Sequence, residues 1–385
     1  MKVVFISNYL NHHQLPFCEA MLKKTDGNFT FVATTPIPEF RIKLGYADMN
    51  HEYDFVICAY ESDELKQKAL KACAEADVAI TGSAPDDYIK ERLKKRKLTF
   101  RYSERIYKNG VNKLQLPIRC LKYFFKHTRH KNLYMLCASA YTAGDYARTF
   151  TFLNKTYKWG YFPQIKKYED IDSLIKTKAP ASLLWVGRLI DWKHPELPIE
   201  AAKRLQGEGV DFTLNIVGTG ELEDMLKQKI TEYNLTDRVF MRGSMSPEEV
   251  RTYMEKSEIF LFTSDRGEGW GAVLNEAMNS GCAVVASHAI GSAPFLISDG
   301  ENGTMYCDGN FASFYSKLKE LLEDPQKRAL FGKNAYKTMI DDWNADSAAE
   351  RLLVLVKHLN ENKKGPVFSK GVCSTAEPLK DDWYK

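Results

Sequence analysis

The stretch EGWGAVLNE at residues 268–276 places two glutamates eight positions apart around a glycine turn. The apolar run 259–262 before it predicts a buried strand, and the apolar spacing from Ala272 to Met278 predicts the start of a helix. The glycines keep side chains away from that helix N-terminus, where free backbone N–H groups and the helix dipole favour an anion such as phosphate. A helix over the stretch would hold the two carboxylates about 12 Å apart. The alternative is a plain glycine turn with two solvated acids.

The pattern of a strand, a glycine turn and a helix recurs through residues 182–305. Further strands are predicted at 183–186, 212–217, 239–241 and 283–286. This alternation predicts a parallel sheet covered by helices on both faces. Ligands of such sheets bind at the carboxyl ends of the strands, where Arg188, Gly218 and Glu268 fall.

Three motifs in this half resemble a known family. They are VGRL at 186–189 with Lys193, VGTG at 217–220, and the stretch 268–276 followed by GCAVV at 281–285. In this order they are similar to the donor-binding domain of the retaining glycosyltransferases of family 4, of the kind acting in bacterial polysaccharide or glycolipid assembly. The resemblance implies the GT-B fold, in which two Rossmann-like α/β domains face a cleft and a C-terminal helix crosses back to the first domain.

The resemblance also implies residue roles. Arg188 and Lys193 would bind the donor diphosphate, and with Glu268 beside the donor sugar they are the expected catalytic residues. Glu276 would hold the ribose hydroxyls. The expected donor-binding residues are Gly187, Gly218, Gly220, Gly243, Gly269, Trp270, Gly271 and Glu276. The family usually has a glycine pair and an acid where residues 291–295 are GSAPF, so the donor's identity stays open.

Elementary chemistry supports a leaving-group role for the two cations. Departure of a nucleoside diphosphate builds negative charge, which fixed cations beside a helix N-terminus stabilise without reorganisation. Arginine offers a fork for phosphate and lysine a point charge, so the pair can replace a metal ion. We therefore expect no metal and no cofactor, with a nucleotide sugar as co-substrate. The alternative is two solvated loop cations. Asp170 and Asp172 form an acidic triplet with Ile171, but no strand precedes it, and we assign it to a linker.

The first half of the chain predicts a second α/β domain. Its predicted strands lie at 2–6, 29–33, 77–80, 98–102 and 133–137. Polar or small residues follow three of them and are the acceptor-side candidates: Asn8, His12, His13, Gly82, Glu104 and Arg105. The last two stand where many family members carry a histidine near the reacting centre. Loop histidines without any ligand are common, and this is the alternative for His12 and His13.

Length and composition agree with two domains, since 385 residues with 44% apolar side chains can fill two cores. The predicted divisions are an acceptor-binding domain at 1–163, a linker at 164–181, a nucleotide-sugar-binding domain at 182–343, a crossover helix at 344–362 and a tail at 363–385. The linker range loses the apolar periodicity. Glycine, proline, serine and charged residues dominate the tail, so we expect poor order there.

Residues 117–131 combine five cations with apolar side chains at helical spacing. The cations are Arg119, Lys122, Lys126, Arg129 and Lys131, and the apolar residues are Ile118, Leu121, Phe124 and Phe125. Such a helix can lie on an anionic membrane surface, which makes a membrane a candidate partner. The alternative is that the apolar stripe packs into the core of the first domain and the cations are solvated.

Composition limits the location and the partners. The eight cysteines form no CxxC pair, which suits a reducing compartment. The N-terminal apolar run is too short for a signal peptide, and no stretch approaches a membrane span. The expected location is therefore the cytoplasm, with the inner face of the membrane as the site of any peripheral association. The net charge of +4 is mild, and no nucleic-acid module appears, so no nucleic acid is expected as a partner.

Three classes of function compete. The leading hypothesis is a retaining, metal-independent glycosyltransferase, similar to hexosyltransferases, that acts on a glycan or lipid-linked acceptor. A nucleotide-dependent oxidoreductase needs the motif GxGxxG, but Glu223 stands at the third glycine position after Gly218 and Gly220. A non-catalytic, two-lobed sugar-binding protein would usually be exported, and it would leave the set of Arg188, Lys193 and Glu268 without a role.

Overall fold

The computed structural model describes residues 1–39, 42, 47–361 and 365–384. Contacts divide the chain into two compact units. The first unit consists of Met1–Gln164 and Asn344–Lys380, and the second of Ile165–Trp343 and Asp381–Lys385.

The first unit contains a seven-stranded parallel sheet with the strand order β3-β2-β1-β4-β5-β6-β7. Its strands are β1 (Val3–Ser7), β2 (Phe29–Ala33), β3 (Val56–Cys58), β4 (Val78–Thr81), β5 (Thr99–Ser103), β6 (Leu133–Cys137) and β7 (Thr156–Lys158). The five predicted strands occur within one residue of their expected positions. The prediction missed β3 and β7 because three residues are too few to show an apolar pattern.

Helices pack on this sheet around an apolar core. They are α1 (Leu15–Lys24), α2 (Asp63–Glu75), α3 (Asp87–Lys94), α4 (Leu116–Tyr123) and α5 (Thr142–Ala147), and a π-helical turn at Phe124–Thr128 continues α4. One core cluster joins Val4 of β1 to Ala69 of α2 and Ile89 of α3. The Ser62 hydroxyl caps α2 by accepting a hydrogen bond from the Leu65 N–H.

The second unit contains a six-stranded parallel sheet with the order β10-β9-β8-β11-β12-β13. Its strands are β8 (Ala179–Val186), β9 (Thr213–Val217), β10 (Val239–Gly243), β11 (Ser257–Phe262), β12 (Ala283–Ser287) and β13 (Thr304–Tyr306). Both sheets follow the Rossmann order, which reverses direction beside the first strand of the unit. The reversal lies between β1 and β4 in the first unit and between β8 and β11 in the second. Ligands of open α/β sheets bind at the carboxyl ends of the strands on either side of such a reversal.

The helices of the second unit alternate with its strands. They are α6 (Ile171–Lys176), α7 (Glu196–Gly207), α8 (Glu223–Glu232), α9 (Pro247–Lys256), α10 (Val273–Asn279), α11 (Ala293–Leu296), α12 (Phe311–Glu323) and α13 (Pro325–Asp341), with a 3-10 helix at Asp191–Lys193. A core cluster of strand and helix residues fills the interior, including Leu183, Ile216, Ile259 and Leu318. Their side chains are fully buried.

In the range predicted as a linker, 164–181, residues 165–181 are structured within the second unit, so that expectation is wrong. Asp170 caps α6 through an oxygen that accepts from the Asp172 N–H at 2.9 Å. The Lys178 ammonium is buried and donates to the Met254 and Ser257 carbonyls at 2.7 and 2.9 Å. A six-residue helix and a buried lysine leave no apolar periodicity, which is why the range resembles a linker.

The C-terminal region returns to the first unit. The last helix, α14 (Ala345–Asn360), packs against α1. The expectation of a poorly ordered tail is wrong for residues 365–384. Thr375 pairs with Tyr157 in an antiparallel bridge beside β7, and Val372 and Cys373 are fully buried. Main-chain pairing along a strand edge needs no apolar periodicity, so composition did not reveal it.

All eight cysteines lie in the described residues and are free thiols, six of them buried. Within the described part of the chain, no helix has both the length and the apolar character needed to cross a membrane.

Candidate active site

Main-chain hydrogen bonds join the loops at the carboxyl ends of β8, β9 and β10. The Gly187 N–H donates to the Val217 carbonyl at 3.0 Å, and the Gly218 N–H donates to the Gly243 carbonyl at 2.7 Å. A side chain on Gly218 would lie 1.8 Å from the Gly187 carbonyl oxygen, and Gly218 has a φ of 137°. A side chain on Gly220 would lie 2.4 Å from a carbonyl oxygen of the same neighbouring loop. These glycines therefore let one loop pack on the next, whatever else they contact.

Lys193 and Glu268 lie in contact beside the reversal between β8 and β11. The Lys193 ammonium donates to Glu268 Oε2 at 2.5 Å, with the two side chains 12% and 13% exposed. The Thr263 hydroxyl, directly after β11, donates to the Lys193 carbonyl at 2.7 Å and so holds the turn that carries the lysine. The Ser264 hydroxyl donates to the same Glu268 oxygen at 3.3 Å. The structure thus brings these two residues, which the sequence predicted for the donor side, into direct contact.

Arg188 follows β8 and so lies at the same carboxyl end of the strands, but its side chain is exposed. Its guanidinium carbon is 5.9 Å from the centre of the Trp192 ring, and the Lys193 ammonium is 4.8 Å from that ring. Trp192 thus holds both cations by cation–π contact. Sequence reasoning did not single out Trp192, although its place between Arg188 and Lys193 was a usable signal. Among the described residues, Arg188 forms no ion pair, so its positive charge is free to meet an anion.

Glu276 lies in α10 and is partly buried. Burial raises the pKa of this carboxyl group, and the nearby charge of Arg251 opposes that shift. The Arg251 guanidinium donates to the Glu276 carbonyl at 3.2 Å and to the Asn279 side chain at 2.9 Å. No hydrogen bond to the Glu276 carboxylate occurs within the described residues. A desolvated acceptor without a donor is suited to bind hydroxyl groups of a ligand.

Trp270 does not have the donor-contacting position predicted for it. It is 1% exposed, its ring N–H donates to Asn275 Oδ1 at 3.0 Å, and it packs against Phe295 and Trp343. Phe295 comes from the run 291–295 that departs from the family pattern. The rings of Trp270, Phe295 and Trp343 therefore form an aromatic cluster against the glycine turn. A buried ring of the size of Trp270 stabilises the turn and does not contact a ligand.

The glycines around Trp270 also serve the turn. Gly271 has a φ of 86°, and a side chain there would meet the Phe262 ring at 2.5 Å. Gly269 is buried. The Gly291 N–H donates to the Glu268 carbonyl at 3.1 Å, so the loop after β12 fixes the backbone that carries the glutamate.

Sequence reasoning missed a second group of titratable residues at the ends of these strands. His194 Nδ1 lies 3.0 Å from Glu196 Oε1, and its Nε2 lies 3.8 Å from Asp265 Oδ2. The hydrogen bond to Glu196 raises the pKa of His194. Burial raises the pKa of Asp308, which accepts from the Ser287 hydroxyl at 3.2 Å. Asp265 and Asp308 each follow a strand closely, a signal that could have identified Asp265. Asp308 was hidden because β13 was not recognised.

In the first unit, the acceptor-side candidates after β1 and β5 form part of one side-chain network. The Tyr161 hydroxyl donates to Glu104 Oε1 at 2.5 Å, and the Lys108 ammonium donates to Glu104 Oε2 at 2.7 Å. The His13 ring stacks on the Tyr161 ring with centroids 5.7 Å apart and lies 3.8 Å from the His12 ring. Tyr161 was not predicted, because it lies far along the chain with no motif around it.

Asn8 and Gly82 lie at the ends of β1 and β4, on either side of the reversal in the first sheet. The Asn8 carbonyl accepts from the Thr34 N–H at 2.8 Å, and the Gly82 N–H donates to the Ile6 carbonyl at 2.8 Å. Arg105, in contrast, does not line an acceptor site. It is 4% exposed, pairs with Asp145 at 3.3 Å and stacks over the Tyr141 ring. Its role is to neutralise a buried carboxylate.

The apolar stripe of the basic segment 117–131 is not packed into the core, so that alternative is wrong, although His127 of the segment is buried. Helix α4 has no buried residue, and the side chains of Ile118 and Leu121 are 73% and 63% exposed. Phe124 and Phe125 in the π-helical turn are about half exposed. The apolar stripe therefore faces outward together with the cations.

The two carboxylates of the acidic triplet 170–172, Asp170 and Asp172, each have a structural partner and do not converge on a metal position. Asp170 caps α6, and Asp172 forms an ion pair with Lys333 at 2.6 Å. One group of three side chains in the described part of the chain has the spacing of metal ligands, and it lies in the first unit at His51, Cys58 and Glu61.

Comparison with known proteins gives this arrangement a context. Residues 166–338 match the family described as "Glycosyl transferases group 1". A relative from Campylobacter jejuni, "N-acetylgalactosamine-N,N'-diacetylbacillosaminyl-diphospho-undecaprenol 4-alpha-N-acetylgalactosaminyltransferase", is 38% identical over 157 residues, which are 40% of this chain and 41% of that protein. The "Amylovoran biosynthesis glycosyltransferase AmsK" of Erwinia amylovora is 35% identical over 37% of this chain and 36% of its own length. The matched stretch is thus less than half of either relative.

The fold has a near-complete counterpart among solved structures. HepE of Anabaena in complex with UDP superposes with a TM-score of 0.68 at 16% identity, covering 93% of this chain and all of that one. At this identity the likeness concerns the fold alone. It confirms the expected GT-B class with two Rossmann-like domains.

Proposed function

We propose that this chain, in which residues 166–338 form a group 1 glycosyltransferase domain, transfers a sugar from a nucleotide-sugar donor to a glycan or lipid-linked acceptor. Transfer occurs with retention of the anomeric configuration and without a metal ion. The observation that carries the proposal is the contact of Lys193 with Glu268, beside the unpaired Arg188, at the reversal between β8 and β11.

The two cations stabilise the leaving diphosphate. As the glycosidic bond to phosphate breaks, negative charge grows on the phosphate oxygens, and cations that are already in position lower the barrier most. Arg188 offers a bidentate fork and Lys193 a point charge. The Trp192 ring between them limits the motion of both side chains. The short α10 that follows the turn adds backbone N–H groups, but the cations provide the charge.

Donor binding rearranges the ion pair. Without donor, Glu268 neutralises Lys193 in a nearly dry environment, which keeps the lysine from being an uncompensated charge. The donor diphosphate replaces Glu268 as the partner of Lys193, and the carboxylate is then free to accept hydrogen bonds from sugar hydroxyls. Ser264 stays within reach and limits where the carboxylate can turn. The Glu276 carboxylate, which burial desolvates, accepts hydrogen bonds from the ribose hydroxyls. These hydroxyls supply the donors that the carboxylate lacks in the free protein.

The acceptor binds through the first unit. The network of Glu104, Tyr161 and His13 supplies a carboxylate after β5, a phenol after β7 and an imidazole after β1. Groups of this kind form hydrogen bonds with sugar hydroxyls and can take the proton that the acceptor hydroxyl loses. Glu104 is the residue we assign to hydroxyl recognition, because Tyr161 and Lys108 already fix its position.

A lipid-linked acceptor requires access to a membrane surface, and the exposed face of α4 and its π-helical turn fits an anionic one. A second apolar element lies beside it, because the Thr128 hydroxyl donates to the Phe150 carbonyl at 3.4 Å. Phe150 is 71% exposed and has a positive φ of 55°, an unfavourable backbone conformation that holds the ring outward.

The charges of this surface match anionic headgroups. A surface cavity of about 240 Å³ next to the segment is lined by five cations: Lys94, Arg96, Lys97, Arg129 and Lys131. Each cation near an anionic leaflet contributes about 1 kcal/mol, and apolar side chains add insertion into the interface. We therefore propose peripheral binding at the inner face of the membrane, with the apolar face of α4 inserted.

Saturation-transfer NMR with a panel of nucleotide sugars tests the donor site. We expect transfer to the base and ribose protons of a preferred nucleotide sugar, strongly reduced in Arg188→Ala and Lys193→Ala. The matched control Lys227→Ala removes an exposed lysine of α8 and should bind like the wild type. The absence of transfer from every nucleotide sugar, or equal transfer in all variants, would contradict the proposed site. NMR of the product then reports the anomeric configuration.

A further inference from the structure

We propose that the first unit binds a zinc ion through His51, Cys58 and Glu61. The nitrogen, sulfur and oxygen atoms that these side chains offer all lie within 4.8 Å of one another. Zinc favours this mixture of imidazole, thiolate and carboxylate, usually in a tetrahedron with bonds of about 2.0–2.3 Å. The three residues leave the fourth position to water or another ligand.

The surroundings of His51 are those of a metal-bound imidazole. Its Nε2 lies 2.5 Å from Glu61 Oε1, and its Nδ1 lies 3.1 Å from Asp48 Oδ2. Metal-binding histidines usually donate their second ring N–H to a carboxylate, which fixes the ring and raises its basicity. Here Asp48 is the carboxylate that accepts from the second ring nitrogen, Nδ1. Its other oxygen accepts from the Asn50 N–H at 3.2 Å, which holds the carboxylate in position. Nε2 is therefore the atom assigned to the metal.

The thiol of Cys58 is positioned by the sheet. Cys58 is the last residue of β3 and is 7% exposed, with its sulfur 3.5 Å from the Asn50 carbonyl. Asn50 is itself buried, and its side-chain oxygen accepts from the Leu10 N–H at 2.9 Å. The sulfur is thus fixed, whereas the partly exposed side chains of His51 and Glu61 can move. Tetrahedral ligands lie roughly 3.3–3.7 Å apart, so these two side chains need shift by only about 1 Å.

The charges balance when the metal binds. The Cys58 thiol and the Nε2–H of His51 give up their protons to solvent, His51 keeps the proton on Nδ1, and Glu61 contributes its carboxylate. One thiolate and one carboxylate then neutralise the two positive charges of the ion. In the absence of metal, two carboxylates face one imidazole ring and the thiol takes no part. The bound ion would tie the end of β3 to the turn at residues 59–61 and to the loop at 47–51.

Cobalt(II) serves as a spectroscopic probe for the full-length, reduced chain without a polyhistidine tag. We expect one ion per chain, with the near-ultraviolet charge-transfer band of a cobalt–thiolate bond, and displacement of cobalt by zinc. The band should disappear in Cys58→Ser and persist in Cys120→Ser, which removes a partly exposed free thiol on α4. Asp48→Asn should weaken the affinity roughly 10–100-fold while the band remains.

A variant that cannot disturb the core completes the test. His51 is about half exposed, so His51→Gln should leave the melting temperature of the metal-free protein unchanged. Zinc should raise the melting temperature of the wild type but not that of His51→Gln. The proposal is overturned if the wild type shows no thiolate band, if the band survives in Cys58→Ser, or if zinc stabilises His51→Gln as much as the wild type. None of these readouts depends on sugar transfer.

Discussion

The two units share a strand order but hold their functional loops in different ways. In the second unit, glycines let the loops at the carboxyl ends of β8 and β9 pack so closely that a side chain on Gly218 or Gly220 would lie 2.4 Å or less from a carbonyl oxygen. In the first unit, main-chain hydrogen bonds such as that from Gly82 to Ile6 leave more room, and side chains distant in sequence, such as Glu104 and Tyr161, add a network. Packing as close as that of Gly218 demands glycine and therefore marks the sequence. Side-chain networks leave no such mark and can change with the ligand, which suits a rigid donor site and an adaptable acceptor site.

The largest expected effect comes from a methyl group between two loops of the second unit. In Gly218→Ala the new carbon would lie 1.8 Å from the Gly187 carbonyl oxygen, at a φ of 137°. We expect a loss of about 3 kcal/mol or more in the free energy of unfolding, because neither backbone can yield without breaking the loop contact. Urea unfolding followed by tryptophan fluorescence measures it, since Trp185 and Trp270 report on this unit.

Two matched glycines sharpen the comparison. In Gly82→Ala of the first unit, the new carbon would lie 3.2 Å from the Ser7 hydroxyl and the Tyr102 ring, which can shift, so we expect a loss of about 1 kcal/mol. Gly207 ends helix α7 in open space, so Gly207→Ala should be neutral or stabilise by up to about 1 kcal/mol. Equal losses in Gly218→Ala and Gly82→Ala would remove the proposed difference between the units.

The next largest effect is a difference between the two units in how their stability changes with pH. Burial, together with nearby Arg101 and Lys126, lowers the pKa of His127 in the first unit to about 3. Between pH 6.5 and about 3 the unfolded chain binds one more proton, so the stability of the first unit falls as pH falls. From pH 6.5 to 5 the loss is about 2 kcal/mol. His127→Leu should abolish this loss, as measured by hydrogen exchange of peptides from the first unit at both pH values.

The pH dependence of stability that His194 gives the second unit has the opposite sign. Its pKa is raised by Glu196, so the stability it contributes is present below its unfolded pKa of about 6.5 and is lost as pH rises through its folded value. His194→Gln should therefore destabilise the second unit at pH 6 more than at pH 9. If His127→Leu lost as much stability as the wild type between pH 6.5 and 5, another group would be responsible for the acid sensitivity of the first unit.

A smaller effect is expected for membrane binding. The double variant Lys122→Glu with Arg129→Glu should weaken binding to anionic vesicles by about 1 kcal/mol per lost cation or more. Lys126 is left unchanged because it pairs with Asp86 at 2.8 Å, and its reversal would disturb the fold. Co-sedimentation at low salt measures the change, and Lys66→Glu with Lys68→Glu on α2 is the control. A wild type that ignores anionic vesicles would refute the proposed surface.

No effect is expected from metal removal at the donor site. Sugar transfer should continue in excess chelator, because Arg188 and Lys193 supply the charge that a metal supplies elsewhere. Turnover with and without chelator checks this, and a loss that magnesium or manganese restores would contradict it. A loss that only zinc restores, and that is absent in Cys58→Ser, belongs instead to the site in the first unit.

The sequence predicted the second unit better than the first for a physical reason. Arg188, Lys193 and Glu268 follow strands β8 and β11, and their glycine turns make the motif visible without any structure. Trp270 was assigned wrongly because a ring beside the site cannot be told from one beneath it by spacing alone. Long-range contacts, such as Glu104 with Tyr161 and Arg105 with Asp145, have no local signature. The amphipathic segment 117–131 was recognised, but only the structure decides which way its apolar face points.

The most direct test of the account is the turnover of Arg188→Ala and Lys193→Ala beside that of Lys227→Ala. Removing one preorganised cation from the leaving group should raise the barrier by roughly 3 kcal/mol, a loss of about two orders of magnitude in rate. Lys227→Ala should keep wild-type turnover, and Arg188→Ala and Lys227→Ala should keep the wild-type melting temperature. Lys193→Ala should stay folded but melt at a lower temperature, because Glu268 loses its buried partner. Near-normal turnover in both Arg188→Ala and Lys193→Ala would contradict a donor site built on these cations.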